Sequence, residues 1–504
     1  MTESKSFLNA LKWSYTANWG QQGFSALFTA ILAGLLGPRD FGTVAIALVY
    51  VGFLQMFVDQ GFVTALIQKK DLKSEHLDAV FWMGQVLSVF LVAVSIVLSG
   101  WWASKNHAPG LSIIISALSL CIPIQGLASV QTALLCREMD FKSLSIRANV
   151  AVLVSGVVGI GMALVGFRAW ALVGQQVIRD STAALLLWKL SSWRPRFEFS
   201  WKHLRELTSF SVSNFAAQLG IFADVQAASV LLGLLFGPVA VGLYKIAERV
   251  ANGIQGAATS SIQAVSLPEF SRLQDKPEEL RKSALACIRL CSASSLPAFA
   301  GLAAVSTPLM ATIGPKWIPA ADALKILSGL NMALMFAYFT GPLLQALSRP
   351  HQLAILEWTR MAVGSAFVVA AGFLVRNGTV EAQIAGIAVA RFAAGALLVT
   401  PVFLYIFMRL CKISMRDLIL TVIPSGVASV GVVAAVMLFR ASGWLAYDRP
   451  VILLGAEAAF GGVAGLAILF SLDRELRSSA VSQLNKAFAR RLRSGICSNP
   501  NRFP

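Results

Sequence analysis

Charge is what this sequence has least of: only 13% of its 504 residues are Asp, Glu, Lys or Arg, roughly half the share carried by a soluble globular chain. Apolar residues make up 56%, and the mean hydropathy is +0.69. That balance excludes a water-soluble fold and makes lipid the solvent for most of the chain. Acids are scarcer than bases, 25 against 42, which leaves a net charge of +17. Cysteine (6) and histidine (4) are few and scattered. Cys287 and Cys291 lie one helical turn apart with no histidine near them in sequence, so free thiols and no metal are expected. A G-x-x-x-x-G-K-[ST] phosphate loop is missing too, which excludes ATP hydrolysis by that route.

What is present is a succession of fourteen apolar runs separated by polar, Gly or Pro breaks, from 14–36 to 450–471. The first is diluted by Asn18, Gln21 and Gln22, and Gly37-Pro38-Arg39-Asp40 follows where a small-residue cleavage site would be needed. It is expected to stay as an uncleaved helix. Sorting Lys and Arg by alternate connections puts 29 on the side holding both termini, 7 on the other and 6 within spans. Both termini are therefore expected in the cytoplasm, and the basic balance needs no nucleic-acid partner. The outer connections are about a dozen residues or fewer, too short for an external catalytic domain. After the last span, Leu476, Ala480, Leu484, Phe488 and Leu492 recur among arginines and lysines, the pattern of a basic amphipathic helix on an anionic inner leaflet.

One motif repeats. Gly34-Leu35-Leu36-Gly37-Pro38-Arg39-Asp40-Phe41-Gly42 returns as Gly233-Leu234-Leu235-Phe236-Gly237-Pro238-Val239-Ala240-Val241-Gly242, at the same outer corner of the first hairpin in each set of six spans. Both copies run in the same direction across the membrane, so the halves are expected to be parallel repeats.

These residues, together with Ala223-Asp224, Gly242-Leu243-Tyr244-Lys245-Ile246-Ala247, Leu267-Pro268-Glu269-Phe270-Ser271 and Arg194-Pro195-Arg196-Phe197, resemble the polysaccharide transporter family of bacterial oligosaccharide-lipid flippases. The likeness runs over about residues 10–410. It implies an all-α polytopic inner-membrane protein with two six-helix lobes around a central cavity. The expected division is an N-lobe (1–190), a C-lobe (191–409, opening with a cytoplasmic linker 191–207), two further helices (410–471) and a basic tail (472–504). The implied activity is alternating-access transfer of an undecaprenyl-diphosphate-linked oligosaccharide from the inner to the outer leaflet. The rival within the superfamily is a cation-coupled drug antiporter. An intramembrane glycosyltransferase or polymerase would need a carboxylate or metal constellation, and the outer connections offer only Asp40, Glu381 and Asp448. The expected partners are the lipid-linked oligosaccharide, anionic lipids and the polymerase or export machinery.

Ionisable residues inside spans are functional candidates because each is costly in lipid. Glu357 with Arg360, Asp322 with Lys325, and Lys245 with Glu248 sit three residues apart and are expected to pair on one helical face. That leaves Arg179, Arg249 and Arg391 as cations without a local partner; Asp180 adjoins Arg179 but points about 100° away on a helix. A diphosphate suits paired guanidinium donors, and Gln175 and Gln176 add amides for sugar hydroxyls. The alternative is that these arginines pair across helices with Asp59 or Asp224. Those two isolated acids are otherwise candidates for H⁺ or Na⁺ coupling, with no cofactor expected.

Overall fold

The computed structural model describes residues 20–59, 65–66, 69, 71–138, 140–443, 450–473 and 477. The side chain of Asp59 and the expected amphipathic tail lie outside the described residues. Helices occur at all fourteen expected positions, and no strand occurs among the described residues. They are α1 (20–35), α2 (Pro38–Asp59), α3 (Ser74–Lys105), α4 (Leu111–Arg137), α5 (Phe141–Leu164), α6 (Ala169–Leu190) and α7 (Trp201–Phe236). The rest are α8 (Pro238–Arg272), α9 (Pro277–Ala304), α10 (Ala321–Leu334), α11 (Pro350–Leu374), α12 (Val380–Cys411), α13 (Met415–Ala441) and α14 (Pro450–Leu472).

Their ends follow local chemistry. Proline opens α2, α8, α9, α11 and α14, where its fixed φ suits the first turn and its missing N–H costs nothing. Side-chain oxygens of Asp140, Thr379 and Ser414 accept N–H bonds from the first turns of α5, α12 and α13. Breaks follow proline as well: α4 is interrupted at Leu120, ahead of Pro123, and α12 carries a π-turn at Ala394–Val399, just before Pro401.

Among the described residues ten helices are long and apolar enough to cross a membrane, and the pair Pro315–Leu334 and Ala337–Ala346, bent by 52°, has the length and composition of an eleventh when taken together. The helices that do not qualify on their own are α1, with 16 described residues, α6, α8 and α10, the last counting only as part of the bent pair. They belong to the same bundle nonetheless, and their polar residues face inward, as the site below requires.

The lobes meet along α2 and α8, whose buried faces (Val44, Ala47 and Val51 against Tyr244, Ala247 and Ala251) belong to one hydrophobic core. At the corner expected to face outward the two copies of the repeated turn touch each other. A β-carbon on Gly42 would overlap the Pro238 carbonyl and stand 2.9 Å from the Gly242 nitrogen. One on Gly242 would overlap the Pro38 carbonyl and stand 3.0 Å from the Gly42 nitrogen. Glycine at both places is thus a packing requirement between lobes, whereas the turn itself, through a φ of 78°, explains only Gly237. A second tie closes beside it. The fully buried Trp317 donates Nε1–H to the Ala33 carbonyl (2.7 Å), Lys316 Nζ donates to Gly34 O (2.8 Å), and Phe41 meets the Trp317 ring edge-on.

The linker after α6 is held against the N-lobe. Trp82 Nε1 donates to Arg196 O (2.6 Å), the Arg196 N–H donates to Asp78 Oδ1 (2.9 Å), and Phe197 stacks on Trp82. Helices α13 and α14 dock on α9. There Arg440 donates two bonds of 2.9 Å to the fully buried Glu457 and a third to Ala304 O.

The expected sidedness has a direct check. In a cysteine-depleted background, Lys105→Cys and Arg440→Cys should react with an impermeant thiol reagent from outside intact cells, and Arg196→Cys and Lys282→Cys should not. Outside labelling of position 196 or 282 would invert the topology.

Candidate functional site

Between the lobes lies a cavity of about 580 Å³ whose wall is built from α1, α2, α4, α5, α6, α7 and α8. Six glutamines line it: Gln22, Gln55, Gln125, Gln175, Gln176 and Gln226. Amides of this kind offer both donors and acceptors without charge, which matches sugar hydroxyls. Arg179 and Arg249 lie on the same wall, close enough to feel each other's charge.

The cations expected to be equivalent are not. Arg391 on α12 gives Nη1 to Glu248 Oε1 (3.1 Å) and to the Tyr244 hydroxyl (3.3 Å), and Glu248 Oε2 also takes Lys245 at 2.7 Å. Its guanidinium is thus tied to an acid, which it shares with Lys245. Arg249 has no acid within 4.0 Å among the described residues; its nearest bond, to Ser25 Oγ, is 3.5 Å long. Arg179 falls between these cases, with Nε 3.6 Å from Asp180 Oδ1. Adjacent residues do diverge on a helix, yet the long arginine stem swings back far enough to meet its neighbour. Asp180 is at the same time held by Gln125 and Gln176, each donating Nε2–H at 2.9 Å to Oδ2. That carboxylate therefore fixes Gln176 and braces Arg179, whose side chain is still 43% exposed and lines the cavity.

Asp224, read from the sequence as isolated, is 3.0 Å from Arg360 Nη2, which also pairs with Glu357 at 2.9 Å. Asp224 and Arg360 border a second chamber of about 350 Å³ in the C-lobe, which Arg391, Glu248 and Asn252 also line. Lys245 and Glu248 pair as expected, while Asp322 and Lys325 form no ion pair within 4.0 Å. A third cavity, of about 500 Å³, runs between α1 and α8; Gly23, Ala26, Ala30, Val250 and Ala257 make it apolar, and it shares Gln22, Ser25 and Arg249 with the first.

Glu248 is the residue sequence reasoning undervalued, since its second partner comes from a helix more than a hundred residues away. A signal for the polar wall did exist in the low hydropathy of α6 and α8, the long helices that fail as apolar spans.

A family profile described as "Polysaccharide biosynthesis protein" matches residues 31–322. The chain belongs to that family. Among curated members similar to it are the succinoglycan biosynthesis transport protein ExoT of Rhizobium meliloti (strain 1021), 26% identical over 384 residues, 76% of this chain and 77% of that protein. The lipopolysaccharide biosynthesis protein WzxC of Escherichia coli (strain K12) is 23% identical over 349 residues, 68% of this chain and 70% of that one. Among solved structures, the lipid II flippase MurJ in an inward closed conformation superposes with TM-score 0.71 at 11% identity, covering 93% of this family member and 99% of MurJ. An inward-facing multidrug resistance MATE family transporter gives 0.59 at 16% identity, covering 78% and 95%. At such identities the two structures establish a shared fold alone, an all-α bundle of membrane-crossing helices.

Proposed function

We propose that this family member is a flippase for a diphosphate-linked lipid oligosaccharide, carrying it from the inner to the outer leaflet by alternating access. The observation that carries the reading is the pair Arg179 and Arg249, both facing an amide-lined cavity within a membrane bundle and only one of them braced by an acid. Two such cations are costly in lipid unless an anion visits them. A diphosphate supplies that anion in a geometry guanidinium groups grip by paired donors. The glutamines suit the attached sugars, and the apolar cleft between α1 and α8, continuous with Arg249, suits a prenyl chain. Names of relatives point the same way: ExoT is called a succinoglycan transport protein and MurJ a lipid II flippase.

The antiporter reading is weaker on the same geometry. It calls for acids facing an otherwise apolar cavity, but Asp224 is bound by Arg360 and Glu248 by Arg391 and Lys245. Coupling to H⁺ or Na⁺ at Asp224 remains part of the proposal, as does contact with polymerase or export machinery.

Purified protein should retain undecaprenyl diphosphate in native mass spectrometry and lose undecaprenyl alcohol, which has the same chain without the anion. Equal retention of the two would defeat the diphosphate reading.

A further inference from the structure

Outside the transport cavity, the inner ends of the lobes bring together three side chains that are far apart in sequence. His76 starts α3 in the N-lobe, while His203 and Glu206 lie on the first turns of α7. One ligand atom from each lies within 4.8 Å of the others. The His76 and His203 rings meet edge to face with centroids 4.6 Å apart, and His76 is only 1% exposed.

We propose that His76, His203 and Glu206 form a site for a divalent transition metal of the Zn²⁺ or Ni²⁺ class, which on binding fastens α7 to α3 and holds the inner ends of the two lobes in register.

The donor set is two imidazoles and one carboxylate, a combination that takes Zn²⁺ with a fourth position left to water. His203 is already oriented for it: Nδ1 lies 2.8 Å from Ser200 Oγ, the kind of outer hydrogen bond that fixes a ligating imidazole, and Nε2 has no hydrogen-bond partner among the described residues. His76 Nε2 is 3.1 Å from Glu206 Oε2, close to the spacing between two ligands on one tetrahedral ion.

Two existing contacts oppose the ion and give the proposal its sharpest test. The Lys69 ammonium sits 2.8 Å from Glu206 Oε2, where a dication would have to displace it or take the other oxygen. The Lys73 backbone N–H donates to His76 Nδ1 at 3.2 Å, so ligation through Nε2 requires the ring proton to move to Nδ1 and that cap to break. Metal and ammonium therefore compete for one carboxylate. Removing the lysine helps the metal, whereas in a purely structural cluster it only loses a contact.

The test is thermal unfolding of the full-length protein in detergent, stripped with EDTA and titrated with Zn²⁺, Ni²⁺ or Mg²⁺, with stoichiometry from calorimetry. Zn²⁺ and Ni²⁺ should raise the melting temperature saturably at one ion per chain, and Mg²⁺ should not, since its oxygen-seeking chemistry does not suit imidazoles. His203→Ala and Glu206→Gln should lose the effect while melting normally without metal. Lys69→Ala should bind about thirtyfold tighter, the effect of removing one unit charge about 4 Å from a dication in water. No saturable shift, a shift that survives in both His203→Ala and Glu206→Gln, or a Lys69→Ala variant that binds no tighter would each overturn the site. None of these readouts uses substrate, so they stand or fall apart from the flippase reading.

Discussion

Replacing Arg179 and Arg249 together by glutamine is expected to stop oligosaccharide export while leaving the protein folded in the membrane. Each arginine offers charge-assisted hydrogen bonds to the diphosphate, worth roughly 2 kcal/mol or about thirtyfold apiece. Glutamine keeps the polarity and much of the length, and it adds nothing foreign to a wall that already carries six glutamines. Arg249→Gln alone should cost more than Arg179→Gln alone, because Arg249 has no acid within 4.0 Å among the described residues, whereas part of the Arg179 charge is already spent on Asp180. Arg391→Gln should behave differently. It strips Glu248 of a partner and damages the C-lobe network instead of removing a free cation. Lysine at 249 should rescue only in part, since it keeps the charge without the fork. Export measured in a strain lacking the endogenous transporter, with membrane abundance read in parallel, decides the matter. Full export by the double variant would remove both residues from the substrate site.

An equally large loss is expected from a side chain at the outer corner. Gly42→Leu or Gly242→Leu puts several carbons where the opposite lobe's main chain already lies, and main chain cannot rotate away as a side chain can. Overpacking of a tight contact costs about 1–3 kcal/mol, occasionally more, and a clash with backbone belongs at the upper end. The corner should therefore stand open, and transport should fail because the lobes can no longer close there. Ala240, fully buried beside the contact, reports this: Ala240→Cys should resist an impermeant thiol reagent alone and react when combined with Gly42→Leu. Normal export together with a still protected position 240 would show that the corner tolerates bulk.

The two predictions differ in how much of their basis could be read from the sequence. Helix positions were legible because lipid imposes a long apolar run on each span, and the ends were legible through Pro38, Pro238 and Pro350. The repeated Gly-Pro turn was legible as a repeat. That its two copies touch was not, because a turn motif specifies its own backbone and says nothing about what packs on it. Charge pairing divided along the same line. Lys245 with Glu248 follows from helical spacing, but Arg391 with Glu248 and Arg360 with Asp224 join separate helices, and such pairs depend on how α7, α8, α11 and α12 are arranged around the cavity. Asp322 and Lys325 are a reminder that favourable spacing permits a pair without compelling one. The inner His76–His203–Glu206 cluster was invisible for the same reason, its members being brought together only when the linker folds back on α3 through Trp82 and Asp78.

The contact between Gly42 and Gly242 is reciprocal: what the first glycine needs from the second half of the chain, the second needs from the first half. Reciprocity of that kind is the mark of a two-fold interface between identical subunits, where residue i meets j and j meets i. Here it joins two halves of a single chain that repeat one turn. The seam therefore has the geometry of a homodimer contact drawn within one chain. Elsewhere the halves part company, for the cavity wall carries amides and arginines while the second chamber is lined by charges that pair with one another. Only at the corner is the match strict, because neither copy can acquire a side chain without the other giving way.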